Sequence, residues 1–520
     1  MGSVQESPMP DLSHHLNAHS RARHESPLKA IIKYMAVDGM ISVAGGLPHS
    51  SLFPFESVSL NSYPASAVLD AENPKVPGDL DTWTIAKHPT SEQPLNLATS
   101  LQYGDGRGEA GLLKWAREFT KLVFQPAYED FDILVNSGNT DAWSKVVGLL
   151  CEAGDSIICE EYSYPSAQSN WIPLGCFAAP VKMDEDGMRA DALEKTLADW
   201  GINHPDQRRP RLMYLVPVGS NPAGTTMRAQ RRKDIYDICV KYDVIICEDD
   251  PYCFLQYGDY EVEATTTGGQ PGTPEQFLSS LVPSFLKFDY QGRVIRLDTF
   301  SKTLAPGNRL GYFVANKLFT QKLLEATQVE TQAPSGWSQA IVFGLLSKWG
   351  IMGYVQWLSS LRDQYRIRRD WMCDAIASKF DVKPASSLDI PGAEGLVALA
   401  KGTSTPIFSF VPPTGGMFIW TRFYLNTFPA FQKLRADESC KDPELACEDA
   451  LWVDLCEAKV LLIPGYYYIP WEGPTKATTK SRGGEAGIGH FRLAFSMSSK
   501  EEMNEALSRM ATVVDAFLKK

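Results

Sequence analysis

A segment around Lys302 has the residue types and spacing of a phosphate-binding site beside a reactive amine. It reads TFSKTLAPGNRLGY over 299–312, and a predicted strand ends at Thr299. Ser301 and Arg309 flank a Pro–Gly turn, and hydroxyls with a guanidinium fork are suited to a phosphate monoester. A lysine at such a site can form a Schiff base if desolvation or a neighbouring cation removes its charge. The alternative is a surface turn with a solvated lysine, but the fourteen-residue context favours the phosphate site.

The elements that position this segment are predicted to be strands and helices in alternation. Apolar runs of strand length are FDILVNS, DSIICEE, RLMYLVPV, DVIICEDD, VIRLDTF and RLGYFVAN, and helical stretches such as MRAQRRKDIYDICVKY separate several of them. Continuous apolar strands between helices indicate an α/β fold with a mostly parallel sheet buried on both faces. Ligands bind beyond the carboxyl ends of such strands. The residues expected to meet in that crevice are Gly138, Asn139, Tyr164, Asn221, Asp249, Tyr252 and Lys302.

The segment 299–312 resembles the S-F-S-K-x-x-x-P-G-x-R-x-G motif of class I/II pyridoxal-phosphate aminotransferases of fold type I. The match is complete apart from Thr299, which replaces the first serine and keeps the hydroxyl. The resemblance implies that Lys302 is the Schiff-base residue and proton shuttle. It also implies that Arg309, Ser301 and Thr299 bind the phosphate of pyridoxal 5'-phosphate. The implied fold is a mostly parallel central sheet flanked by helices, with a smaller α+β domain.

Two other strand ends resemble the family's contacts to the cofactor ring. VPVGSNPAGTT places Asn221 where the family bonds the pyridine 3-oxygen, and Asn221 is also assigned to substrate binding. CEDDPYCFLQY places Asp249 opposite the pyridine nitrogen, which it would keep protonated, and Tyr252 near the 3-oxygen. Asp250 is one residue out of register, and an alternating strand points it the other way. The resemblance therefore favours Asp249.

Two segments resemble the parts of the family's site that hold the phosphate and the face of the ring. NSGNTDAW resembles a loop in which backbone amides at a helix start bind the phosphate, with Gly138, Asn139 and Thr140 as candidates. The same segment also reads as a helix N-cap, and the two readings are compatible. CEEYSYPSA places Tyr164 where the family stacks an aromatic residue on the ring, with Tyr162 as a competitor.

Three further motifs resemble the family's substrate site and dimer contact. Arg492 in FRLAFS matches an arginine that binds the substrate carboxylate; the alternative is a salt-bridged surface arginine. Gly46 in AGGLP would let the backbone approach the bound amino acid. Tyr103 in LQYGDGRGEAGL matches a tyrosine that reaches the neighbouring subunit's phosphate, which implies a homodimer with shared active sites. The G-x-G-x-x-G in that stretch follows no strand, so NAD binding is rejected.

The domain organisation expected from these patterns has three parts. Residues 1–100 form an N-terminal arm and part of the smaller domain, with long loops near 60–100. Residues 101–375 form the large cofactor-binding domain, interrupted by an inserted surface loop near 257–292. Residues 376–520 form the C-terminal smaller domain.

Composition limits the remaining possibilities. The 520 residues are 44% hydrophobic and 22% charged, values typical of globular proteins. A net charge of −12 gives no global attraction to nucleic acid or an anionic membrane, and no apolar run is long enough to span a bilayer. The ten cysteines form no C-x-x-C pair, which predicts neither a structural zinc site nor a disulfide framework. We therefore expect a cytoplasmic protein that binds no metal, nucleic acid or membrane.

The predicted activity is transamination between an amino acid and a 2-oxo acid such as 2-oxoglutarate. The long loops are most similar to those of fungal aromatic-amino-acid and 2-aminoadipate aminotransferases, a group that includes kynurenine-type enzymes. Two alternatives remain open: a pathway-specific aminotransferase of secondary metabolism acting on lysine or tryptophan, and a carbon–sulfur lyase or synthase on the same fold. The role of Tyr466–Tyr468, which follow the IPG of AKVLLIPG, also remains open.

Overall fold

Two large β-sheets covered by helices organise the chain. The computed structural model describes residues 9–30, 34, 37–41, 43–67, 70, 79–89, 95–104, 106–261 and 272–520. Within these ranges the strands are β1 Ser57–Ser62, β2 Asp81–Ala86, β3 Phe131–Asn136, β4 Ser156–Glu160, β5 Phe177–Val181, β6 Met183–Asp184, β7 Gly187–Met188, β8 Leu212–Leu215, β9 Ile245–Asp249, β10 Val294–Thr299, β11 Gly311–Asn316, β12 Asp381–Pro384, β13 Leu396–Leu399, β14 Pro406–Phe410, β15 Phe418–Tyr424, β16 Ile463–Pro464 and β17 Ile488–Ala494.

The first large sheet confirms the predicted mostly parallel core. Its strand order is β3-β11-β10-β9-β8-β4-β5, and only β11 runs antiparallel to its neighbours. Every residue of β4, β8, β9, β10 and β11 is buried, because helices cover both faces. The six apolar runs identified in the sequence supply six of these strands. The seventh, β5, is a short run of small residues and proline that the sequence did not mark.

The helices that cover the sheets include a long one that links them. This helix, Gly336–Lys379, contains Gly350, whose φ of +67° interrupts the helical backbone and favours glycine. None of the described helices is both long and apolar enough to cross a membrane. The helices of the described ranges are α1 Ala18–Ala22, α2 Pro27–Ala30, α3 Leu97–Ser100, α4 Ala110–Val123, α5 Asn139–Leu150, α6 Pro165–Trp171, α7 Ala190–Ala198, α8 Trp200–Asn203, α9 Ala229–Tyr242, α10 Pro274–Ser280, α11 Lys317–Glu330, α12 Gly336–Lys379, α13 Pro429–Ala436, α14 Pro443–Glu457 and α15 Lys500–Phe517.

The second large sheet is antiparallel and follows α12 in the chain. Its strand order is β12-β13-β14-β15-β17-β16. In its centre β15 pairs with β17, and Trp420 lies opposite Arg492. Helix α14 packs on β17, and α15 packs on both α14 and α12. Strand β17 thus carries Arg492, whose side chain contacts Asn221.

The first described residues of the expected N-terminal arm pack on the first sheet. Leu12 and Leu16 are buried in the core beside α5 of the first sheet. The Asn17 side-chain amide donates to the carbonyls of Gly148 and Cys151, both at 2.8 Å. The described part of this arm therefore packs on the first sheet's helix, because its two leucines complete that core.

Two segments expected to be loops contain regular structure. In 60–100, β1 and β2 form an antiparallel hairpin that packs on α12, where the Trp349 indole donates to the Tyr63 carbonyl at 3.1 Å. In 257–292 the surface-loop expectation is wrong for the described residues after 271, because α10 buries Phe277 and the turn after it buries Phe285. Residues 262–271, and parts of 60–100, lie outside the described residues.

Candidate active site

The carboxyl ends of neighbouring strands in the first sheet converge on one crevice. Asp249 ends β9, Thr299 ends β10, and Asn139 follows β3 at the start of α5. The Asn139 side-chain amide donates to Asp249 Oδ1 at 2.7 Å and to the Leu297 carbonyl at 3.1 Å. These two hydrogen bonds tie three strand ends together. Loop residues after the strands can therefore share one ligand.

Asp249 is a buried carboxylate held by two hydrogen bonds. The Tyr214 hydroxyl donates to its Oδ2 at 2.7 Å, and Asn139 donates to its Oδ1. Burial raises the pKa of Asp249 to about 6, while these two bonds act in the opposite direction. A buried carboxylate at the wall of a crevice is stabilised in its ionised form by a cationic partner, such as a protonated ring nitrogen.

The neighbouring carboxylate of Asp250 points into a different environment. Arg296 Nη1 donates to Asp250 Oδ2 at 2.9 Å and lies 3.2 Å from Glu248 Oε1, and all three side chains are fully buried. Asp250 is thus used in an internal ion cluster beneath the sheet end. Of the two adjacent aspartates weighed from the sequence, only Asp249 contacts the residues of the crevice described above.

A cradle for an anion is formed by the turn after β10 and the start of α5. The Thr299 hydroxyl donates to Ser301 Oγ at 2.9 Å, and Arg309 Nη1 donates to the same oxygen at 3.4 Å. Arg309 Nη2 donates to the Ser137 carbonyl at 3.0 Å. Gly138 has a φ of +95°, and a Cβ added there would lie 2.6 Å from Arg309 Nη2. The cradle therefore requires glycine, and its hydroxyls, guanidinium and first-turn amides match a phosphate.

Lys302 lies at the edge of this cradle on an anchored turn. The Tyr354 hydroxyl donates to Thr303 Oγ1, and the Trp357 indole donates to the Thr303 carbonyl, both at 2.8 Å. Desolvation lowers the pKa of Lys302, and the positive charges of Arg309 and Arg492 lower it further. Among the described residues no hydrogen bond or ion pair restrains the Lys302 amine. An amine with a lowered pKa and a free lone pair is the form that reacts with a carbonyl carbon.

Arg492 projects from β17 across the crevice from the first sheet. Its Nη1 donates to Asn221 Oδ1 at 2.6 Å. Its guanidinium carbon lies 4.2 Å from the centre of the Phe418 ring and 5.3 Å from that of Tyr468. Within the described chain its Nε is buried without a hydrogen-bond partner, and no carboxylate pairs with it. This arrangement differs from a salt-bridged surface arginine and leaves donors for a carboxylate.

The two tyrosines weighed for ring stacking have different surroundings. Tyr162 packs against Trp420 and His490, with ring centres 5.1 and 4.8 Å apart. Tyr164 is the N-cap residue of α6 and interacts electrostatically with Arg492, as do Tyr252 and Tyr468. Tyr164 therefore belongs to the group around the crevice, whereas Tyr162 packs beneath the second sheet.

Two residues predicted for the site are not brought to the Lys302 cluster within one chain. Tyr103 is 62% exposed, and Gly46 is exposed, with no atom of the described residues within 4 Å of an added Cβ. Their segments are joined by Gln102, whose side-chain amide donates to the Pro48 carbonyl at 2.7 Å. Both residues lie on the protein surface.

The residues present fit pyridoxal phosphate. The cradle of Gly138 and Arg309 suits its phosphate, and the buried Asp249 carboxylate suits its ring nitrogen. Asn139 Oδ1 and Arg492 Nε are buried polar atoms that lack a partner among the described residues, as expected where a polar ligand completes the site. The Lys302 amine is of the type that can react with an aldehyde such as that of the cofactor.

Sequence reasoning missed some of the residues that shape the crevice. Tyr214 lies within an apolar run of the sequence, where no local signal distinguishes it from a core tyrosine. Phe418 was likewise read only as part of a strand in PTGGMFIW. Of the tyrosine cluster, Tyr468 contacts the Arg492 guanidinium, whereas Tyr466 donates to Asp449 on α14 at 2.8 Å and Tyr467 packs against Trp452.

Comparison with known proteins identifies close relatives of this arrangement. The family model for aminotransferase class I and II matches residues 96–510. An aromatic amino acid aminotransferase of Schizosaccharomyces pombe is 34% identical over 511 residues, covering 97% of this chain and 98% of the relative. An L-tyrosine:2-oxoglutarate aminotransferase of Serpula lacrymans is 33% identical over 467 residues, covering 87% and 83%. The crystal structure of aminotransferase Aro8 from Candida albicans superposes with a TM-score of 0.85 at 32% identity, covering 98% and 99%.

Proposed function

The chain belongs to the class I and II aminotransferase family, and from this premise we propose that it moves the amino group of an aromatic amino acid to 2-oxoglutarate. Its cofactor is pyridoxal 5'-phosphate, and its reaction class is transamination between an amino acid and a 2-oxo acid. The aromatic donor and the 2-oxoglutarate acceptor are supported by the activities of the named relatives. The observation that carries the proposal is the state of the Arg492 guanidinium. It pairs with no carboxylate of the described residues, and the aromatic rings of Phe418 and Tyr468 enclose it.

The cofactor would be held by the residues already described at the strand ends. When bound, it supplies an electron sink for the negative charge that develops at the substrate Cα. The Asp249 carboxylate would face the ring nitrogen and favour its protonated form, with Tyr214 and Asn139 holding the carboxylate in place. Contacts to the phosphate, the 3-oxygen and the ring face are proposed for Thr299, Ser301, Arg309, Gly138, Asn139, Thr140, Asn221, Tyr252 and Tyr164.

Lys302 would act as the base and acid of the reaction. Its lowered pKa means that a larger fraction of the amine is neutral near physiological pH. A neutral Nζ would take the proton from the substrate Cα. It would later deliver that proton to the carbon on the cofactor side of the substrate nitrogen. The anchored turn around Thr303 limits where Nζ travels, because two hydrogen bonds from α12 hold that turn.

Arg492 would bind the substrate carboxylate through its unoccupied donors. Asn221 fixes one guanidinium nitrogen at 2.6 Å, so the planar group is already oriented before substrate arrives. The rings of Phe418 and Tyr468 exclude water from the guanidinium and strengthen a carboxylate contact there. An aromatic substrate side chain is compatible with these apolar walls.

The test is a half-reaction followed by visible absorption. Purified protein loaded with pyridoxal phosphate is mixed with tyrosine in the absence of any oxo acid, and 2-oxoglutarate is added afterwards. We expect the cofactor band to convert on tyrosine addition and to return with 2-oxoglutarate. The same assay is repeated with lysine, with 2-aminoadipate and with a cysteine conjugate. A band that responds to lysine or 2-aminoadipate but not to tyrosine would refute the aromatic donor, and release of thiol from the cysteine conjugate without conversion of the band would indicate a carbon–sulfur lyase.

We propose that the active unit is a homodimer with shared sites. Among the described residues, the N-terminal segment carries exposed apolar side chains, including Ile41 at 88%, Val43 at 96% and Leu52 at 81% exposed. Such a concentration is typical of a protein interface. Exposed Tyr103 and Gly46 lie near this segment and would reach the partner's site. Light scattering should give twice the 57.6 kDa chain mass, and a monomer of full activity would refute the shared site.

We also propose a cytoplasmic location and a two-domain division. All ten cysteines are free, and eight of them are buried, which suits a reducing compartment. The proposed large domain, 101–375, contains the first sheet, and the proposed smaller domain, 376–520, contains the second. Imaging of a fluorescent fusion tests the location, and limited proteolysis near the end of α12 tests the division.

A further inference from the structure

Glu448 is a buried carboxylate on α14 whose hydrogen bonds go to the backbone of the second sheet. Its Oε2 accepts from the His490 amide at 3.0 Å, and its Oε1 accepts from the Tyr466 amide at 3.1 Å. The side chain approaches so closely that a Cβ added at Gly489 would lie 3.1 Å from Oε2. One carboxylate therefore joins two backbone segments that are far apart in sequence.

Both segments carry residues that contact the proposed carboxylate site. His490 lies two residues before Arg492 on β17, so the two side chains share one face of the sheet. Tyr466 lies two residues before Tyr468, whose ring centre is 5.3 Å from the Arg492 guanidinium carbon. A shift of either backbone segment would move the guanidinium or the ring that encloses it.

A carboxylate is a costly way to join two backbone segments inside a protein. Burial raises the pKa of Glu448 to about 7, and the backbone amides oppose that effect. Asp449, the next residue on α14, makes its bond to the Tyr466 hydroxyl instead of the backbone. Of these two neighbouring acids, Glu448 therefore contacts the backbone of the second sheet, and Asp449 contacts a side chain.

We propose that Glu448 is a positioning residue, which sets Arg492 and Tyr468 at the distance needed to bind the substrate carboxylate. The inference rests on the proposed function of Arg492. Glu448 acts through its hydrogen bonds to these two backbone segments. Its effect is therefore expected on substrate binding and not on the chemistry at Lys302.

The experiment compares E448Q with the matched control D449N in the loaded enzyme. In E448Q one oxygen is replaced by an amide group that cannot accept from the backbone, and leaving one buried N–H without an acceptor costs about tenfold in an equilibrium constant. We expect KM for tyrosine and for 2-oxoglutarate to rise about tenfold, with kcat changed less than about threefold. The Kd of 3-phenylpropionate, a carboxylate without an amino group, should rise by a similar factor in calorimetry. D449N should leave all of these values at the wild-type level.

R492K measured in parallel separates failure of the inference from failure of the proposed function. If R492K raises KM but E448Q does not, the positioning role is refuted while the substrate role of Arg492 stands. If R492K leaves KM and the 3-phenylpropionate Kd unchanged, the proposed function fails and the inference falls with it. A lower melting temperature of E448Q with unchanged KM would show a purely structural role and overturn the inference. If E448Q does not fold, E448D, whose shorter carboxylate cannot reach both amides, is subjected to the same test.

Discussion

Removing the Tyr214 hydroxyl is expected to weaken cofactor binding by raising the pKa of Asp249. In the wild-type protein, burial raises the pKa of Asp249 to about 6, and the hydrogen bond of 2.7 Å from Tyr214 opposes that rise. Tyr214→Phe removes this buried hydrogen bond. A hydrogen bond to a charged group is worth about 1.5–3 kcal/mol, and one pKa unit corresponds to about 1.4 kcal/mol. The Asp249 pKa of the variant should therefore lie about one to two units higher.

The consequence at neutral pH follows from the ionised fraction of Asp249. At pH 7 that fraction is about nine-tenths for a pKa of 6, about a half for 7 and about a tenth for 8. Binding opposite a protonated ring nitrogen requires the ionised carboxylate. We therefore expect the affinity for pyridoxal phosphate at pH 7 to fall about two- to tenfold. The midpoint of its pH dependence should move upward by about one to two units.

The assay is a titration of cofactor-free protein with pyridoxal phosphate at several pH values, followed by absorption. Tyr236→Phe is the matched control, because the Tyr236 hydroxyl donates to the buried Asp289 at 2.9 Å, away from the crevice. Burial also raises the pKa of Asp289 to about 6, so the control removes a comparable hydroxyl. A wild-type midpoint in Tyr214→Phe would refute the reasoning, as would an equal shift in the control.

Three further substitutions probe the cradle, the base and the ion cluster. In Gly138→Ala, a Cβ 2.6 Å from Arg309 and a φ of +95° should weaken cofactor affinity about tenfold or more; unchanged affinity in a cofactor titration would contradict the cradle. Lys302→Ala should lower kcat by about 10²–10⁴-fold when assayed with pyridoxal phosphate in excess, and a rate within about tenfold of wild type would exclude Lys302 as the base. Arg296→Met leaves Asp250 buried without its partner and should lower the free energy of unfolding by about 3–5 kcal/mol in urea, where an unchanged midpoint would count against the cluster's importance.

Much of the first sheet was predictable because each of its buried strands is a continuous apolar run. Strands buried on both faces need no polar alternation, so runs such as VIIC and LMYL identify them directly. The hairpin β1–β2 was not predicted, because its exposed serines and threonines are typical of a loop. Its contact with α12 is a tertiary one that the local sequence does not indicate. Helix α10 was not predicted, because a single buried residue, Phe277, gives no helical periodicity in the sequence.

The candidate site was predictable where its residues are consecutive and not where they meet across strands. The turn from Thr299 to Arg309 carries its hydroxyls and guanidinium in one short segment, so the residue types alone indicate an anion site. The contact between Tyr214 and Asp249 joins two strands, and its distance depends on their register. The surroundings of Tyr164 likewise depend on tertiary packing, since Tyr162 lies only two residues away and is also aromatic.

The direction of Asp249 is explained by the residues on either side of it. Side chains alternate along a strand, so Glu248 and Asp250 share one side and Asp249 takes the other. Arg296 lies between Glu248 and Asp250, at 3.2 and 2.9 Å, and Arg232 also reaches Glu248, at 3.3 Å. Rotating the strand end to bring Asp250 into the crevice would leave these buried cations without their partners, which is strongly unfavourable. The ion cluster therefore fixes which of the two aspartates faces the crevice.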